Sequence, residues 1–273
     1  MSKAIVVGIN STIGAAIAES LAKSGWQITG TTRSSTYQPN LEGVRVISEC
    51  DMSSKFATEN TLSKILELND SWDALIVTPG TMLPIGNFTQ LSFDSWEESI
   101  AINFTNQLRL VHGLLRNAKH DKSLQPCVMM FAGGGTNSAP ESFSAYTVSK
   151  IALIKMVELL DAENPDFRFT ILGPGWVRSK IHQETLNSPH TPKKTRDETM
   201  RRLECDDFIP LNKVVETIKW LLAAPKSVIG GRNFSAAHDP FQNEYFANRL
   251  LDGSDILKLR RFGNDYSWMS DAD

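Results

Sequence analysis

Short apolar runs alternate with longer segments of helical periodicity along most of the chain. The apolar runs predict strands near residues 4–7, 27–32, 44–48, 74–78, 127–131, 168–172 and 228–234. Helices are predicted between most of them, and strands that alternate with helices pair in parallel through right-handed crossovers. The pattern therefore predicts an α/β fold, with a doubly wound, Rossmann-like, mostly parallel sheet of about seven strands and helices on both faces.

Two segments interrupt the alternation. The first, about residues 177–211, is polar and proline-containing and follows the carboxyl end of a strand, where open α/β sheets bind ligands. We interpret it as a substrate flap. The second, about 239–273, contains a predicted helix over 242–251 and ends in a group of large apolar residues, Phe262, Tyr266, Trp268 and Met269. We treat residues 1–273 as one domain with a flap and a C-terminal extension.

Composition and charge exclude several classes of function. The net charge of −3 gives no reason to expect nucleic acid or an acidic membrane as a partner. The three cysteines are far apart and lack metal-ligand spacing, so no metal site is expected. The chain shows no leader segment and no apolar run long enough to cross a bilayer. We expect a soluble, cytoplasmic protein.

A glycine-bearing turn follows the first strand and leads into an apolar-periodic helix. Glycine lets the backbone approach a phosphate, and the free amides of a helix start favour anions, so the turn predicts a dinucleotide site. Its candidate binding residues are Gly8, Asn10, Ser11, Thr12, Ile13 and Gly14. One strand later, Arg33 and Ser34 stand where an acidic residue would bind the ribose of NAD. They favour NADP(H) over NAD(H), with an ordinary exposed loop arginine as the alternative.

Tyr146 and Lys150 are four residues apart, which places both side chains on one face of a predicted helix. A fixed positive charge beside a phenol favours the phenolate and lowers its pKa toward the useful range for proton transfer. The pair is therefore a candidate for general acid–base catalysis.

The sequence resembles the short-chain dehydrogenase/reductase family over roughly residues 3 to 238. Besides the glycine turn and the Tyr146–Lys150 pair, the ordered matches are Cys50-Asp-Met52, Val77-Thr-Pro-Gly80, Asn103 and Pro174-Gly-Trp-Val-Arg-Ser179. The resemblance implies hydride transfer between nicotinamide and a carbonyl or alcohol. It also implies assembly as a homodimer or homotetramer.

The resemblance also implies a role for each matched residue. Tyr146 would exchange the proton at the substrate oxygen, Lys150 would bind the nicotinamide ribose and depress the tyrosine pKa, and Asn103 would hold a relay water. Further cofactor contacts would come from Asp51 and Met52 near the adenine, and from Gly80, Pro174, Gly175, Val177 and Ser179. At Thr78 the family commonly has asparagine, so we expect this chain to lose a polar brace between the central strands.

One departure bears directly on catalysis. The family places a serine about thirteen residues before the tyrosine, to polarise the substrate carbonyl, but this chain has Ala132, Gly133 and Gly134 there. Three interpretations remain open. The hydroxyl of Thr136 or Ser138 substitutes for the serine; or the amides of Gly134 and Gly135 do so; or catalysis is lost and the chain is a cofactor-binding sensor or structural protein. A non-redox, lyase-type member of the same family is a further alternative.

The flap is the only indication of the substrate. It carries many polar and few large apolar residues, which favours a small polar substrate such as a hydroxylated or phosphorylated compound, for example a sugar derivative. Its basic run 193–196 is better explained as a solvated surface. Trp176 and His182 lie nearest in sequence to the cofactor motif and are the candidate pocket residues, with core packing an equally good explanation of Trp176.

Overall fold

The computed structural model describes residues 1–68, 70–120 and 124–261. Within them, one sheet contains seven parallel strands: β1 (Lys3–Val7), β2 (Gln27–Thr31), β3 (Val44–Ile47), β4 (Ala74–Val77), β5 (Cys127–Phe131), β6 (Arg168–Gly173) and β7 (Asn233–Ser235). The strands lie side by side in the order β3-β2-β1-β4-β5-β6-β7. The direction of winding changes between β1 and β4, which opens a crevice at the carboxyl ends of these strands. The predicted doubly wound fold is confirmed.

Helices cover both faces of the sheet. They are α1 (Thr12–Lys23), α2 (Lys55–Glu67), α3 (Phe93–Ile100), α4 (Asn106–Leu114), α5 (Ser144–Glu163), α6 (Ile181–Asn187), α7 (Lys193–Glu204), α8 (Leu211–Ala223), α9 (Lys226–Ile229) and α10 (Glu244–Asp252). Side chains alternate across each strand, so Val6 joins the apolar layer under α1 and α8, while Val7 joins the layer under α2, α4 and α5. Burial on both faces explains the nearly continuous apolar character of the strands.

The prediction for the last strand is partly wrong. Val228 and Ile229 belong to α9, and β7 spans only Asn233–Ser235. Pro225 precedes α9 and favours a helix start, and Gly231 follows it with a φ of +68°. An apolar run is buried equally well as a short helix or as a strand, so periodicity cannot separate the two.

The flap is more ordered than an irregular loop, because it contains α6 and α7. The helix predicted at 242–251 is present as α10. Its Phe246 packs in an aromatic cluster with Trp220, Phe234 and Phe241. The aromatic group after residue 261 lies outside the described residues. Among the described helices, none combines the length and apolarity needed to cross a membrane. The same residues contain no grouping of three His, Cys, Asp or Glu side chains that could hold a metal ion.

Candidate functional site

A cleft of about 1790 Å³ opens at the carboxyl ends of the strands. Nearly all of the predicted site residues line it. The exceptions are Gly14, Ser34 and Asn103. Asn103 is fully buried behind Gly80, since a Cβ on Gly80 would lie 3.3 Å from Asn103 Oδ1 and 3.7 Å from Lys150 Nζ. The cleft therefore joins motifs from the whole length of the matched sequence.

The glycine turn forms one end of the cleft. Gly8 has a φ of +79°, and a Cβ there would lie 2.6 Å from Thr78 Oγ1. Ser11 caps α1 by accepting a hydrogen bond from the Gly14 amide at 3.0 Å. The amides of Thr12 and Ile13 donate no hydrogen bond to any described residue. A helix start with free amides facing a cleft is an anion site.

Thr78 braces the central strands, so the expected loss of a polar brace is wrong. Its hydroxyl donates to Val7 O at 2.8 Å and to Gly8 O at 3.1 Å, and it lies 2.9 Å from Ser11 Oγ. The shorter side chain suffices because Gly8 comes so close to it. Threonine thus holds the turn against β4, as the absent asparagine was expected to do.

The adenine-side residues lie at the far end of this region. Arg33 is exposed and lines the cleft just after β2. Asp51 also lines it, and its Oδ1 accepts hydrogen bonds from the amide and hydroxyl of Ser53, each at 2.9 Å. Ser34 instead lies outside the lining, and its hydroxyl is 3.2 Å from that of Thr36. Arg33 and Asp51 are therefore placed to contact a ligand, and Ser34 is not.

Tyr146 and Lys150 share one face of α5, as predicted. Lys150 Nζ lies 5.8 Å from the centre of the Tyr146 ring and donates a hydrogen bond to Phe131 O at 3.0 Å. The expected lowering of the tyrosine pKa is wrong for the chain without ligand. Burial raises the Tyr146 pKa to about 12, with a smaller contribution from the Glu184 carboxylate, and burial lowers the Lys150 pKa to about 8. Desolvation outweighs the attraction between ammonium and phenolate.

Gly133 explains how the tyrosine fits without the strand-end serine. A Cβ on Gly133 would lie 2.4 Å from Tyr146 Oη, so no side chain fits there without moving the phenol. The amide of Ala132 donates to Leu172 O at 3.0 Å and ends the strand pairing. The next four amides, of residues 133–136, donate no hydrogen bond to any described residue. The hydroxyl of Thr136 also lacks a described partner, and the residue lines the cleft.

Asn103 lies in a π-helical turn, Ala101–Thr105, between α3 and α4. Its Oδ1 accepts the Thr81 amide at 3.0 Å, and its Nδ2 donates to Thr81 O at 2.9 Å and to Ser99 Oγ at 3.1 Å. The side chain therefore holds the turn after β4 in place. Its role in a water relay stays a prediction.

Trp176 and His182 are both in the cleft wall and in the packing of the flap. Their rings stack at 5.0 Å with an angle of 1° between planes, and His182 Nε2 lies 2.8 Å from Val177 O. The Arg202 guanidinium lies over the Trp176 ring at 4.7 Å, and Phe208 packs on His182 at 5.5 Å. Burial lowers the His182 pKa, which favours the neutral ring. The stack anchors α6 and α7.

The basic run of the flap does not face the cleft. Lys193 pairs with Asp197 at 2.8 Å, and Arg196 donates to the carbonyls of Leu186 and Ser188. Neither of the two basic side chains, nor Lys194, lines the cleft. The solvated or structural interpretation of this run is therefore the better one.

Sequence reasoning missed Glu184 as a site residue. Its carboxylate lines the cleft and accepts hydrogen bonds from the Met82 amide and the Thr81 hydroxyl. Burial raises its pKa. These contacts join residues more than a hundred positions apart, and no local pattern encodes them. The only signal was its presence among the polar residues of the flap.

Comparisons with known proteins found related sequences and similar folds. A family model described as short chain dehydrogenase matches residues 2–189. An uncharacterized oxidoreductase from Staphylococcus saprophyticus is 24% identical over 224 residues, covering 77% of this chain and 94% of that protein. A short chain dehydrogenase/reductase structure from Saccharomyces cerevisiae superimposes with a TM-score of 0.76 at 18% identity, covering 88% of this chain and 97% of that one. The Pseudomonas aeruginosa RhlG/NADP complex gives a TM-score of 0.71 at 20% identity, covering 86% and 94%.

Proposed function

The chain belongs to the short-chain dehydrogenase family, and from that premise we propose that it transfers hydride between NADP(H) and a carbonyl or alcohol of a small polar molecule. One observation supports this most. The phenol of Tyr146 and the unpartnered amides of the 133–136 turn meet in a cleft whose other end is a dinucleotide-type glycine turn. A proton donor, an oxyanion site and an anion site are the parts that carbonyl reduction needs.

The residues present fit a nicotinamide dinucleotide. The free amides of Thr12 and Ile13 would hold the pyrophosphate, Asp51 the adenine side, and Lys150 and Ser179 the nicotinamide side. When bound, the cofactor would supply or accept the hydride. This chain's own residues would bind and orient it and would handle the proton.

Tyr146 is suited to donate a proton rather than to remove one. With a pKa near 12, the phenol is protonated at neutral pH and can protonate the oxygen of a carbonyl as it is reduced. Lys150 carries much of its positive charge at pH 7, since its pKa is about 8. The protonated phenol is the form that carbonyl reduction uses at neutral pH.

The 133–136 turn is the candidate for polarising the carbonyl. The position of the usual serine is filled by Tyr146 Oη against Gly133, so a hydroxyl at that position is excluded without moving the tyrosine. Successive free amides can hold a developing oxyanion, and the Thr136 hydroxyl is the second candidate in the same turn.

The preference for NADP(H) rests on Arg33. Arg33 lines the cleft directly after β2, where we expect the ribose of a bound dinucleotide, and no carboxylate precedes it in the turn. An arginine pairs well with a phosphate group. The RhlG structure, which shares the fold, is named as an NADP complex.

The substrate is best described as small and hydroxylated. Hydroxyl and carboxylate side chains from several elements line the substrate end: Ser92, Ser95, Thr136, Glu184, Thr185, Thr195 and Thr199. Because the basic run of the flap lies outside the lining, a phosphorylated substrate has less support than a neutral polyhydroxy carbonyl. A sugar derivative is one such compound.

We further propose that the chain forms a homodimer or homotetramer through α4 and α5. The exposed face of α5 carries Val148 and Leu159, which are 51% and 47% exposed, and apolar residues at such positions are typical of interfaces. Light scattering at micromolar concentration should give a dimer or tetramer. A strict monomer would contradict the proposed assembly and leave the chemistry untouched.

Titration of the purified protein with NADPH and NADH, followed by turnover with aldehydes and ketones of increasing hydroxylation, tests the function. Binding with turnover supports the oxidoreductase. Tight NADPH binding without turnover would favour a sensor or structural protein instead. Chemistry without nicotinamide would favour the lyase-type alternative, against which the retained glycine turn and Lys150 argue.

A further inference from the structure

Glu184 joins the flap to the turn that follows β4. Its Oε2 accepts hydrogen bonds from the Met82 amide at 2.7 Å and from the Thr81 hydroxyl at 3.0 Å. Glu184 lies in α6, the first helix of the flap, and both donors follow Gly80. A single carboxylate oxygen thus connects two segments that both line the cleft.

The segment that receives the flap is itself fixed in place. The backbone of Thr81 exchanges two hydrogen bonds with the buried side chain of Asn103, and the Leu83 amide donates to Thr81 Oγ1 at 3.1 Å. The two bonds of Glu184 therefore extend a network that already includes a predicted catalytic-site residue. Movement of α6 away from the cleft would break the outer part of this network only.

The other attachments of α6 are of a different kind. The stacked rings of Trp176 and His182 pack with Arg202 of α7, so these contacts connect α6 to α7 and not to the segment after β4. Towards the cleft, Thr185 adds a weak contact to Met82 Sδ at 3.2 Å. Among the described residues, Glu184 supplies the charge-assisted hydrogen bonds between the flap and the segment after β4. Such bonds are stronger than neutral ones.

A carboxylate at this half-buried position is destabilising unless its charge is compensated. Burial raises the Glu184 pKa, and the carboxylate forms no ion pair with a described residue. Burying a charge without an ionic partner costs free energy unless hydrogen bonds compensate it. Here the compensating hydrogen bonds come from Thr81 and Met82 in the segment after β4, beside a smaller attraction from the Arg33 charge, so the hydrogen bonds are lost whenever the flap opens.

We propose that Glu184 is a positioning residue, a latch that holds α6 closed over the nicotinamide end of the cleft and sets the rate at which the cofactor leaves. The role rests on the proposed function, because Tyr146, Lys150 and Ser179 identify that end of the cleft. Release would require the two hydrogen bonds to break, and closure would remake them.

The test measures NADPH release from the full-length protein by rapid mixing with excess NADP⁺. Glu184→Leu should release NADPH about ten- to a hundredfold faster, since two hydrogen bonds to a charged group are lost. Glu184→Gln keeps an acceptor oxygen for both donors and should change release by only about fivefold or less. Gln183→Leu, on an exposed neighbour in α6, is the matched control and should release at the wild-type rate.

A double-mutant cycle separates a latch from a general loss of structure. Thr81→Val and Glu184→Leu should be strongly non-additive in release rate, because either change breaks the same contact. The thermal midpoint should stay close to that of Gln183→Leu. Additive effects, or release by Glu184→Leu within about twofold of wild type, would overturn the latch. If Glu184→Leu does not fold, the rate of NADPH release is measured for Thr81→Val, for Glu184→Gln and for the double variant. These three rates and that of the wild type form a second double-mutant cycle, which is interpreted in the same way.

Trypsin cleavage at Lys193 and Lys194 gives a readout that needs no cofactor. These exposed sites lie on the flap, and a flap without its latch should be cut several times faster in Glu184→Leu than in Gln183→Leu. Equal cleavage would contradict the latch. Failure of the wild-type protein to bind NADPH or NADH would instead overturn the proposed function, whatever the cleavage rates.

Discussion

The two ends of the cleft are built in different ways. At the cofactor end, the contacts are mostly local: Gly8, Ser11 and Gly14 form the turn and cap α1, and Thr78 supports them from the next strand. At the substrate end, the contacts of Glu184 with Thr81 and Met82 join segments more than a hundred residues apart. A short motif therefore identifies the class of cofactor, while the substrate chemistry depends on packing between remote parts of the chain.

The largest expected effect tests the substrate end. Tyr146→Phe keeps the ring in contact with Gly133 and removes the proton, so turnover should fall by about a thousandfold or more while NADPH affinity stays within about twofold. Steady-state kinetics and fluorescence titration measure the two quantities. Retained turnover would remove Tyr146 from the mechanism.

The next prediction concerns the turn that replaces the serine. Gly134 has open space at its Cβ and no positive φ, so Gly134→Ala should be tolerated and keeps the amide. Gly134→Pro removes that N–H and should lower kcat by about a hundred- to a thousandfold relative to the alanine variant. Thr136→Val removes the hydroxyl alone. A large loss in Thr136→Val with little difference between proline and alanine would assign the role to Thr136.

If all three turn variants keep wild-type kcat, neither the Gly134 amide nor the Thr136 hydroxyl polarises the carbonyl. That result would contradict the account of the missing serine. Cofactor affinity should be unchanged in all three variants, and it serves as the control.

Lys150 links the two ends through charge. The depression of its pKa from 10.5 to about 8 means that holding the ammonium in the folded state costs about 3 kcal/mol at neutral pH. Lys150→Met should therefore raise the free energy of unfolding by up to about 3 kcal/mol at pH 7, while abolishing turnover.

The sign of the pH dependence follows from the direction of the shift. A lysine with a lowered folded pKa binds fewer protons when folded, so the wild type gains stability as pH rises from about 8 to 10.5. The advantage of Lys150→Met should shrink across that interval in denaturant titrations. An advantage that does not depend on pH would show that packing, rather than desolvation, separates the two proteins.

The smallest effect belongs to the cofactor end. Arg33→Asp should weaken NADPH binding about tenfold to a hundredfold and leave NADH binding similar or better, which reverses the preference. The ratio of the two dissociation constants is the measurement. An unchanged ratio would make Arg33 an ordinary surface residue.

The fold was predictable because its strands and helices follow local periodicity, and the parallel order follows from their alternation. Val228 and Ile229 were predicted wrongly because an apolar pair is buried equally well in a helix or in a strand. The Tyr146–Lys150 pair and the glycine turn were likewise local patterns. The raised pKa of Tyr146 was not predictable, since burial is a property of the assembled fold.

Glu184 shows the same limit more sharply. Its identity as a flap residue was clear from the sequence, but its donors follow β4, which is separated from β6 by β5 in the sheet. The brace formed by Thr78 was misjudged for a related reason, because its reach depends on how closely Gly8 approaches.

Isotope labelling tests most directly whether this protein transfers hydride from NADPH to a carbonyl. The protein is incubated with NADPH carrying deuterium at C4 of the nicotinamide and with polyhydroxy aldehydes and ketones, and the products are analysed by mass spectrometry and NMR. Hydride transfer with Tyr146 as the proton donor predicts one deuterium on the carbinol carbon and a hydroxyl proton from solvent. With Tyr146→Phe, no such product should form. Tight binding of the labelled cofactor with no deuterium in any product would contradict the proposed hydride transfer.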